Sequence, residues 1–150
     1  MLPRPHRIRR GRRTDFVAVM EILASSNLPT PPPDRATLRR FRNIVADLGS
    51  DLYVATIDER PVGIVHVSYA RQIATYPVAR IELLVVAPDT RHQGVGTSLV
   101  RHMEARARTH ACVRMSCEVG TIPQSLAAGG IAFFMQLGWT LTGVTLSITL

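Results

Sequence analysis

The residues best suited to chemistry lie close together, between Glu82 and Thr97. The segment Arg91-His92-Gln93-Gly94-Val95-Gly96 places an arginine and two glycines directly ahead of a run with helical periodicity. A glycine-rich turn at a helix start directs backbone N–H groups, and the positive end of the helix dipole, at one point. Because Gly94 and Gly96 have no Cβ, an anion can approach the backbone closely there. The pattern therefore predicts a phosphate-binding turn.

An apolar run precedes this turn. Arg80–Val86 (RIELLVV) has the length and β-branched content of a buried strand, and Glu82 is its only acid. Pro88 and Asp89 end it, since proline lacks a backbone donor and aspartate favours turns. Apolar residues then recur at the spacing of an amphipathic helix, at Leu99, Val100, Met103 and Ala107. The stretch is predicted as strand, turn and helix.

Two common nucleotide-binding loops do not fit this segment. The G-x-x-x-x-G-K-[ST] loop needs a lysine, which the chain lacks, and the glycine spacing is not that of G-x-G-x-x-G. The segment resembles the [R/Q]-x-x-G-x-[G/A] acyl-CoA pyrophosphate loop of the GNAT (GCN5-related N-acetyltransferase) superfamily, with Arg91, Gly94 and Gly96 at its fixed positions. Two further stretches are similar to family signatures: Gly63-Ile64-Val65 to the opening of the third strand, and Ile131–Trp139 to the late A-x-x-F-Y-x-x-x-G-F pattern.

The resemblance implies a fold and a reaction. The fold would be α/β, with a mixed, mostly antiparallel central sheet flanked by helices and acyl-CoA in the splay between the central strands. The reaction would be direct transfer of an acetyl group from acetyl-CoA to a primary amine. Backbone groups of Leu84, Val85 and Val86 would pair with the pantetheine, and one N–H there would polarise the thioester carbonyl. The pyrophosphate would be held, chiefly by backbone N–H groups, at Arg91, His92, Gln93, Gly94, Val95, Gly96 and Thr97.

Amine acetylation also needs a general base and a proton for the departing thiolate. Glu82 is the candidate base, because burial in its apolar strand would raise its pKa; the structural alternative is a pair with an arginine on a neighbouring strand. Glu118, on the next predicted strand, is a second candidate. Phe134 stands where the family commonly has a tyrosine that donates the proton. Either water protonates the thiolate, or the domain binds acyl-CoA as a regulatory module without efficient turnover.

Charge offers a third function class. The net charge is +7, and six arginines crowd the first thirteen residues. Such an arm can bind polyphosphate, but no aromatic residues interleave with it for base stacking, so nucleic-acid binding is the less favoured function. No apolar run reaches the ~18–20 residues that span a bilayer, and no Cys/His spacing predicts a metal site. We expect a cytoplasmic protein with acetyl-CoA and an amine as partners, and homodimer formation is left open.

The remaining pattern predicts one domain, residues 14–150, after a basic segment, residues 1–13, that includes a first strand at Arg7–Arg10. A helix begins at Thr14 or Asp15, and a second runs from Asp34 or Thr37 to Gly49 with Leu48 on its apolar face. Two strands, Leu52–Ile57 and Val62–Tyr69, are predicted to form a hairpin. Further strands are predicted at Ala111–Val119, from Trp139 onward and at Val144–Leu150, and a helix is predicted to end at Gly138.

Overall fold

The computed structural model describes residues 4–118, 124–142 and 148. They form two compact units, Met1–Cys117 and Glu118–Leu150. Short 3-10 turns lie at Arg13–Asp15 and Pro88–Thr90. The helices and strands are, in chain order, β1 (Arg7–Arg10), α1 (Phe16–Ser25), α2 (Arg35–Ala46), β2 (Ser50–Ile57), β3 (Arg60–Ala70), β4 (Val78–Val86), α3 (Val95–Thr109), β5 (Arg114–Cys117) and α4 (Gln124–Gln136).

The first unit is built on one sheet with the strand order β1-β2-β3-β4-β5. The pairs from β1 to β4 are antiparallel, and β5 joins β4 in parallel after the crossover through α3. Asp58 and Glu59 connect β2 to β3 with positive φ values of 49° and 62°, the conformation of a tight two-residue hairpin turn. The predicted mixed, mostly antiparallel sheet and its hairpin are confirmed.

The two faces of the sheet carry different helices. On the α1–α2 face, Leu52, Ile64 and Val85 pack with residues of α1 and α2 in one buried cluster. On the α3 face, the buried side chains of α3, such as Leu99 and Met103, cover β2, β3 and β4. Side chains of directly paired residues lie on the same face, so the pairing register assigns each strand residue to one face or the other.

Several predicted boundaries need correction. Of the two predicted starts of α2, Asp34 is its N-cap, and the Asp34 side chain accepts a hydrogen bond from the Thr37 N–H. The helix ends at Ala46 with Asp47 as its C-cap rather than at Gly49. Leu48 is therefore outside the helix and 92% exposed. Of the strand predicted for 111–119, the described residues 111–118 contain only Arg114–Cys117 as strand, and residues 139–142 are irregular. The strand predicted for 144–150 lies outside the described residues, apart from Ile148.

The end of α4 explains the late sequence signature in physical terms. Gly138 has φ +89°, and its N–H donates to the Met135 carbonyl while the Trp139 N–H donates to the Phe134 carbonyl. The rings of Phe134 and Trp139 are 4.7 Å apart. These two bonds and the apolar contact that spans the glycine form a complete Schellman cap. The helix end predicted at Gly138 is confirmed.

Two of the six N-terminal arginines have structural partners. Arg9 binds the Asp15 carboxylate through two contacts of 2.8 Å, and Arg10 lies 3.4 Å from Asp51. Asp51 is buried on the α3 face, where it also accepts hydrogen bonds from Tyr69 (2.8 Å) and from Arg106 of α3 (3.1 Å). The first strand is thus fixed to the fold by charge as well as by its pairing with β2.

Candidate functional site

One edge of β4 is paired over only part of its length. The parallel pairing with β5 covers Val78 to Ile81 and stops there, whereas β3 pairs with β4 as far as Val86. Among the described residues, no strand pairs with this edge from Glu82 to Val86. Exposed strand edges present unpaired N–H and C=O groups to which an extended ligand can add.

A β-bulge lies where this open edge begins. His66 pairs with Leu83 and Val67 pairs with Ile81, so Glu82 is an extra residue with no partner on β3. A bulge changes the alternation of side chains between the faces of a sheet. Ile81 therefore lies on the α3 face with Val67, whereas Leu83 lies on the α1–α2 face with His66.

The chain passes from the open edge directly into a turn and then into α3. His92 and Gly94 both have left-handed backbone, with φ of 60° and 82°, which is uncommon for a residue with a Cβ such as His92. Gly94 is the N-cap of α3 and supplies no capping side chain. Because the first N–H groups of a helix have no acceptor within the helix, this end of α3 is suited to an anion.

Hydrogen bonds tie the turn back to the strand that precedes it. Arg91 donates from Nε to the Val86 carbonyl at 3.1 Å, and Gln93 donates from its amide to the Asp89 carbonyl at 3.3 Å. Gly63 on β3 lies beneath the start of α3: a Cβ there would stand 3.1 Å from side-chain atoms of both Leu99 and Val95. The start of α3 is thus held close to the sheet because Gly63 has no side chain.

Glu82 is exposed, so the prediction that it is buried in an apolar strand was wrong. The bulge is the physical reason, because the residue lies outside the regular pairing. Its carboxylate accepts a hydrogen bond of 2.5 Å from the Ser68 hydroxyl on β3. The partner seen is thus a serine, where the sequence had suggested an arginine as the structural alternative. The role of Glu82 as a base stays a prediction.

His66 and Ser68 are neighbours of Glu82, and the sequence alone did not predict that these three residues lie together. His66 is half-buried, and burial lowers its pKa, although the charges of Glu82 and Asp47 act in the opposite direction. Alternation along β3 puts His66, Ser68 and Ile64 on one face, which the sequence does show. The pairing of β3 with β4 was needed to place Glu82 beside them. We call His66, Ser68 and Glu82 the β3–β4 polar cluster.

Other predicted residues have simpler surroundings. Glu118 follows the end of β5 rather than lying within it, and it is exposed. Phe134 is buried in its unit against Trp139 and Phe133. His92 is exposed, whereas His102 on α3 packs on Tyr53 with ring centres 4.4 Å apart.

A cavity of about 490 Å³ lies away from the turn. It is lined by Leu48, Gly49, Tyr69, Arg71, Pro77 and His110. His110 is the C-cap of α3, and a helix of this length separates its ends by roughly 20 Å. The cavity is therefore at the opposite end of α3 from the turn at residues 91–96. Within the part of the chain that the structure describes, no helix is long and apolar enough to cross a membrane, and no cluster of three metal-ligating side chains occurs.

Comparisons with known proteins agree with this geometry. The chain is similar to the transcriptional regulator from Bacillus halodurans C-125 (TM-score 0.83, 23% identity, 97% of this chain and 100% of that chain). It is also similar to a putative acetyltransferase from Agrobacterium tumefaciens str. C58 (TM-score 0.82, 22% identity, 96% of this chain and 99% of that chain). A third similar structure is the ribosomal-protein-alanine N-acetyltransferase from Brucella melitensis biovar Abortus 2308 (TM-score 0.78, 16% identity, 97% of this chain and 99% of that chain). At these identities the likeness shows the fold. A search of curated proteins gives no match. The Acetyltransferase (GNAT) family model matches residues 16–139, and the protein therefore belongs to the GNAT acetyltransferase family.

Proposed function

We propose that this protein is an N-acetyltransferase that moves the acetyl group of acetyl-CoA directly to a primary amine. Members of the GNAT family use acetyl-CoA as co-substrate. The observation that carries the proposal is the continuity of the open β4 edge with the α3 N-terminus, because one extended thioester ligand with a pyrophosphate requires both features.

The turn is proposed to hold the pyrophosphate of CoA. Gly94 leaves the first N–H groups of α3 without a side-chain cap, and the exposed Arg91 adds a positive charge close to them. A helix N-terminus and a guanidinium both favour phosphate oxygens. The residues assigned to this role are Arg91, His92, Gln93, Gly94, Val95, Gly96 and Thr97.

The open edge of β4 is proposed to bind the pantetheine. Backbone groups of Leu84, Val85 and Val86 would pair with its amides as an added strand would. One N–H of this edge would donate to the thioester oxygen as negative charge develops there. A donor of this kind contributes about 3 kcal/mol of transition-state stabilisation in well-studied hydrolases.

The chemical step joins the amine nitrogen to the acetyl carbon and breaks the carbon–sulfur bond. The acceptor must first lose its ammonium proton, and Glu82 is the proposed group that receives it, with Glu118 as the second candidate. CoA leaves as a thiolate, which is a good leaving group because free thiols have a pKa near ~8.5. Phe134 has no hydroxyl, so the thiolate takes its proton from water.

The test compares two variants that each add one negative charge, in different places. Gln93→Glu puts a carboxylate of the same size in the turn at residues 91–96, and it also removes the hydrogen bond that the Gln93 amide donates to the Asp89 carbonyl; Gln93→Met, which removes that bond without adding a charge, measures the share of the effect that comes from the lost bond. Gln72→Glu makes the same change in an exposed loop, where the side-chain oxygen of Gln72 accepts a hydrogen bond from Thr75 that a carboxylate can also accept. Substituting Gly94 would be less informative, because any side chain at φ +82° strains the backbone.

We expect Gln93→Glu to weaken acetyl-CoA binding about tenfold or more, measured by calorimetry. Two like charges about 6 Å apart at an effective dielectric near 40 repel by about 1.4 kcal/mol. Gln72→Glu should bind as the wild type does, and both should melt normally. Equal acetyl-CoA affinity in the two variants would contradict the proposal that this turn binds the pyrophosphate. Release of free CoA with a panel of amines then tests the transfer itself.

The second candidate function is an acyl-CoA-binding module with little turnover. The observation that favours it is Phe134, which is buried against Trp139 at the position where the family commonly has a tyrosine. Tight acetyl-CoA binding with no CoA release for any amine would support the module. CoA release that depends on one class of amine would support the enzyme.

A further inference from the structure

The β3–β4 polar cluster extends the proposed function, on which this inference rests. An exposed carboxylate alone is a weak base for an alkyl ammonium, because an ordinary glutamate has a pKa near ~4.3, several units below that of an alkyl amine. Glu82 is exposed, so we refine its proposed role here from accepting the proton to binding the ammonium ion by charge. A better resting place for the proton is a nearby group of higher basicity that is neutral before the reaction.

His66 is placed to be that group. His66 pairs with Leu83 of β4, the residue next to Glu82. Because of the bulge, His66 and Leu83 both lie on the α1–α2 face. Ser68, two residues along β3 and so on the same face, donates to the Glu82 carboxylate. The hydrogen bond holds Glu82 over β3, on the side of β4 where His66 lies.

The charges around His66 suit it to hold a proton temporarily. Burial lowers the pKa of His66 in the free protein, and the carboxylates of Glu82 and Asp47 partly oppose this effect. Arg80 of β4 stands opposite Ser68 in the strand pairing and lies further along the same face. Leu52 of β2 is the other register partner of His66 and carries no charge. His66 is thus neutral near pH 7 but has two anions nearby that stabilise its imidazolium.

We propose that His66 is a second catalytic residue, on which the ammonium proton of the acceptor comes to rest. Glu82 binds the ammonium, and the proton passes to an imidazole nitrogen of His66, directly or through one water. The neutral amine then attacks the thioester carbon, the amide bond forms, and the carbon–sulfur bond breaks. The nitrogen gives its second excess proton to water as the amide forms, the CoA thiolate takes a proton from water, and His66 returns its proton to solvent. The net products are the amide, free CoA and one proton.

The test is the pH dependence of kcat/KM for His66→Gln and Glu82→Gln with two acceptors. One acceptor is an alkyl amine, which is protonated at pH 7, and the other is an aromatic amine, which is already neutral. With the alkyl amine, His66→Gln should lower kcat/KM by about 10²-fold or more and remove the acidic limb of the profile. With the aromatic amine, the loss should be less than about threefold, because no proton has to be removed before attack.

Glu82→Gln separates the two roles. It should raise KM for the alkyl amine and keep an acidic limb, moved to lower pH because His66 has lost a nearby anion. Acetyl-CoA affinity measured on each variant shows that the fold and the CoA site are intact. An acidic limb that survives in His66→Gln, or equal losses with both amines, would overturn the role of His66 alone. A wild-type protein that releases no CoA with any amine would overturn the proposed function, and this proposal with it.

Discussion

Replacing Gly63 by alanine tests whether the contact between α3 and the sheet positions the candidate site. The added methyl would lie 3.1 Å from side-chain atoms of Leu99 and Val95 and 3.4 Å from the Val85 carbonyl oxygen. Carbon atoms pack best at about 3.5–4.0 Å, so α3 or the sheet has to move by several tenths of an ångström. Both neighbouring side chains are fully buried, and neither can turn into solvent.

The expected cost follows from these contacts. Overpacking of this size destabilises the fold by about 1–3 kcal/mol. Alanine also lowers the conformational entropy of the unfolded chain relative to glycine, which stabilises the fold by about 0.4–1 kcal/mol. We therefore expect Gly63→Ala to lower the free energy of unfolding by about 1–2 kcal/mol, which is a fall in Tm of about 3–6 °C. Because the contact lies at the first turns of α3, acetyl-CoA affinity should fall about fivefold to tenfold.

Gly49→Ala is the matched control. A Cβ at Gly49 would contact only the side chain of Asp47, at 3.4 Å, and the residue is exposed. This variant should change stability by at most about 1 kcal/mol, in the stabilising direction, and should bind acetyl-CoA as the wild type does. Urea unfolding and calorimetry measure both quantities. Identical Tm and affinity for the two variants would refute the packing argument, whereas a lower Tm with unchanged affinity would refute only its link to the site.

Two further predictions concern buried carboxylates. Burial raises the pKa of Asp15, but hydrogen bonds from Arg9 and from the Arg12 N–H outweigh it and lower the pKa below the ordinary 3.8. Asp15→Asn should therefore lower the free energy of unfolding by about 2 kcal/mol at pH 7. The extra stability of the wild type is complete above pH ~4 and disappears as the pH falls through the lowered pKa of Asp15. Urea unfolding at several pH values measures this difference, and a difference that does not change with pH would contradict the ion pair. Asp51→Asn should cost about 1–2 kcal/mol, because the hydrogen bonds from Tyr69 and Arg106 would lose their charged and buried acceptor. Asp58→Asn, in the exposed hairpin turn, is the control. Equal stability of the two variants would contradict the role of Asp51.

Local signals in the sequence were sufficient for most of the fold. The strand, turn and helix around Arg91 were predicted correctly because proline, glycine and helical periodicity act within a few residues. The α2 start at Asp34 and the α4 end at Gly138 depend on single capping residues. The end of α2 was predicted wrongly because Gly49 was taken as the cap, whereas Asp47 already leaves helical geometry with φ −72° and ψ 129°.

The candidate site was predictable only in part. The turn could be recognised because the backbone itself requires a glycine at position 94, where φ is +82°. The surroundings of Glu82 could not, because a bulge is a property of the pairing between two strands and leaves no local mark in RIELLVV. His66 stands in an ordinary alternating strand, and its relation to Glu82 depends on the register of β3 with β4.

The bulge at Glu82 links the binding and chemical parts of the proposed site. It falls directly after Ile81, the last residue that β5 pairs with, so the irregular residue and the open edge begin at the same place. Before the bulge, β4 directs Ile81 to the α3 face, and after it Leu83 turns to the α1–α2 face. An extended ligand added to the open edge would therefore have its reactive end beside the residue that Ser68 holds over β3. Deleting Glu82 would make Ile81 and Leu83 consecutive residues that pair with Val67 and His66, so the pairing would become regular and every other side chain of β4 would keep its face.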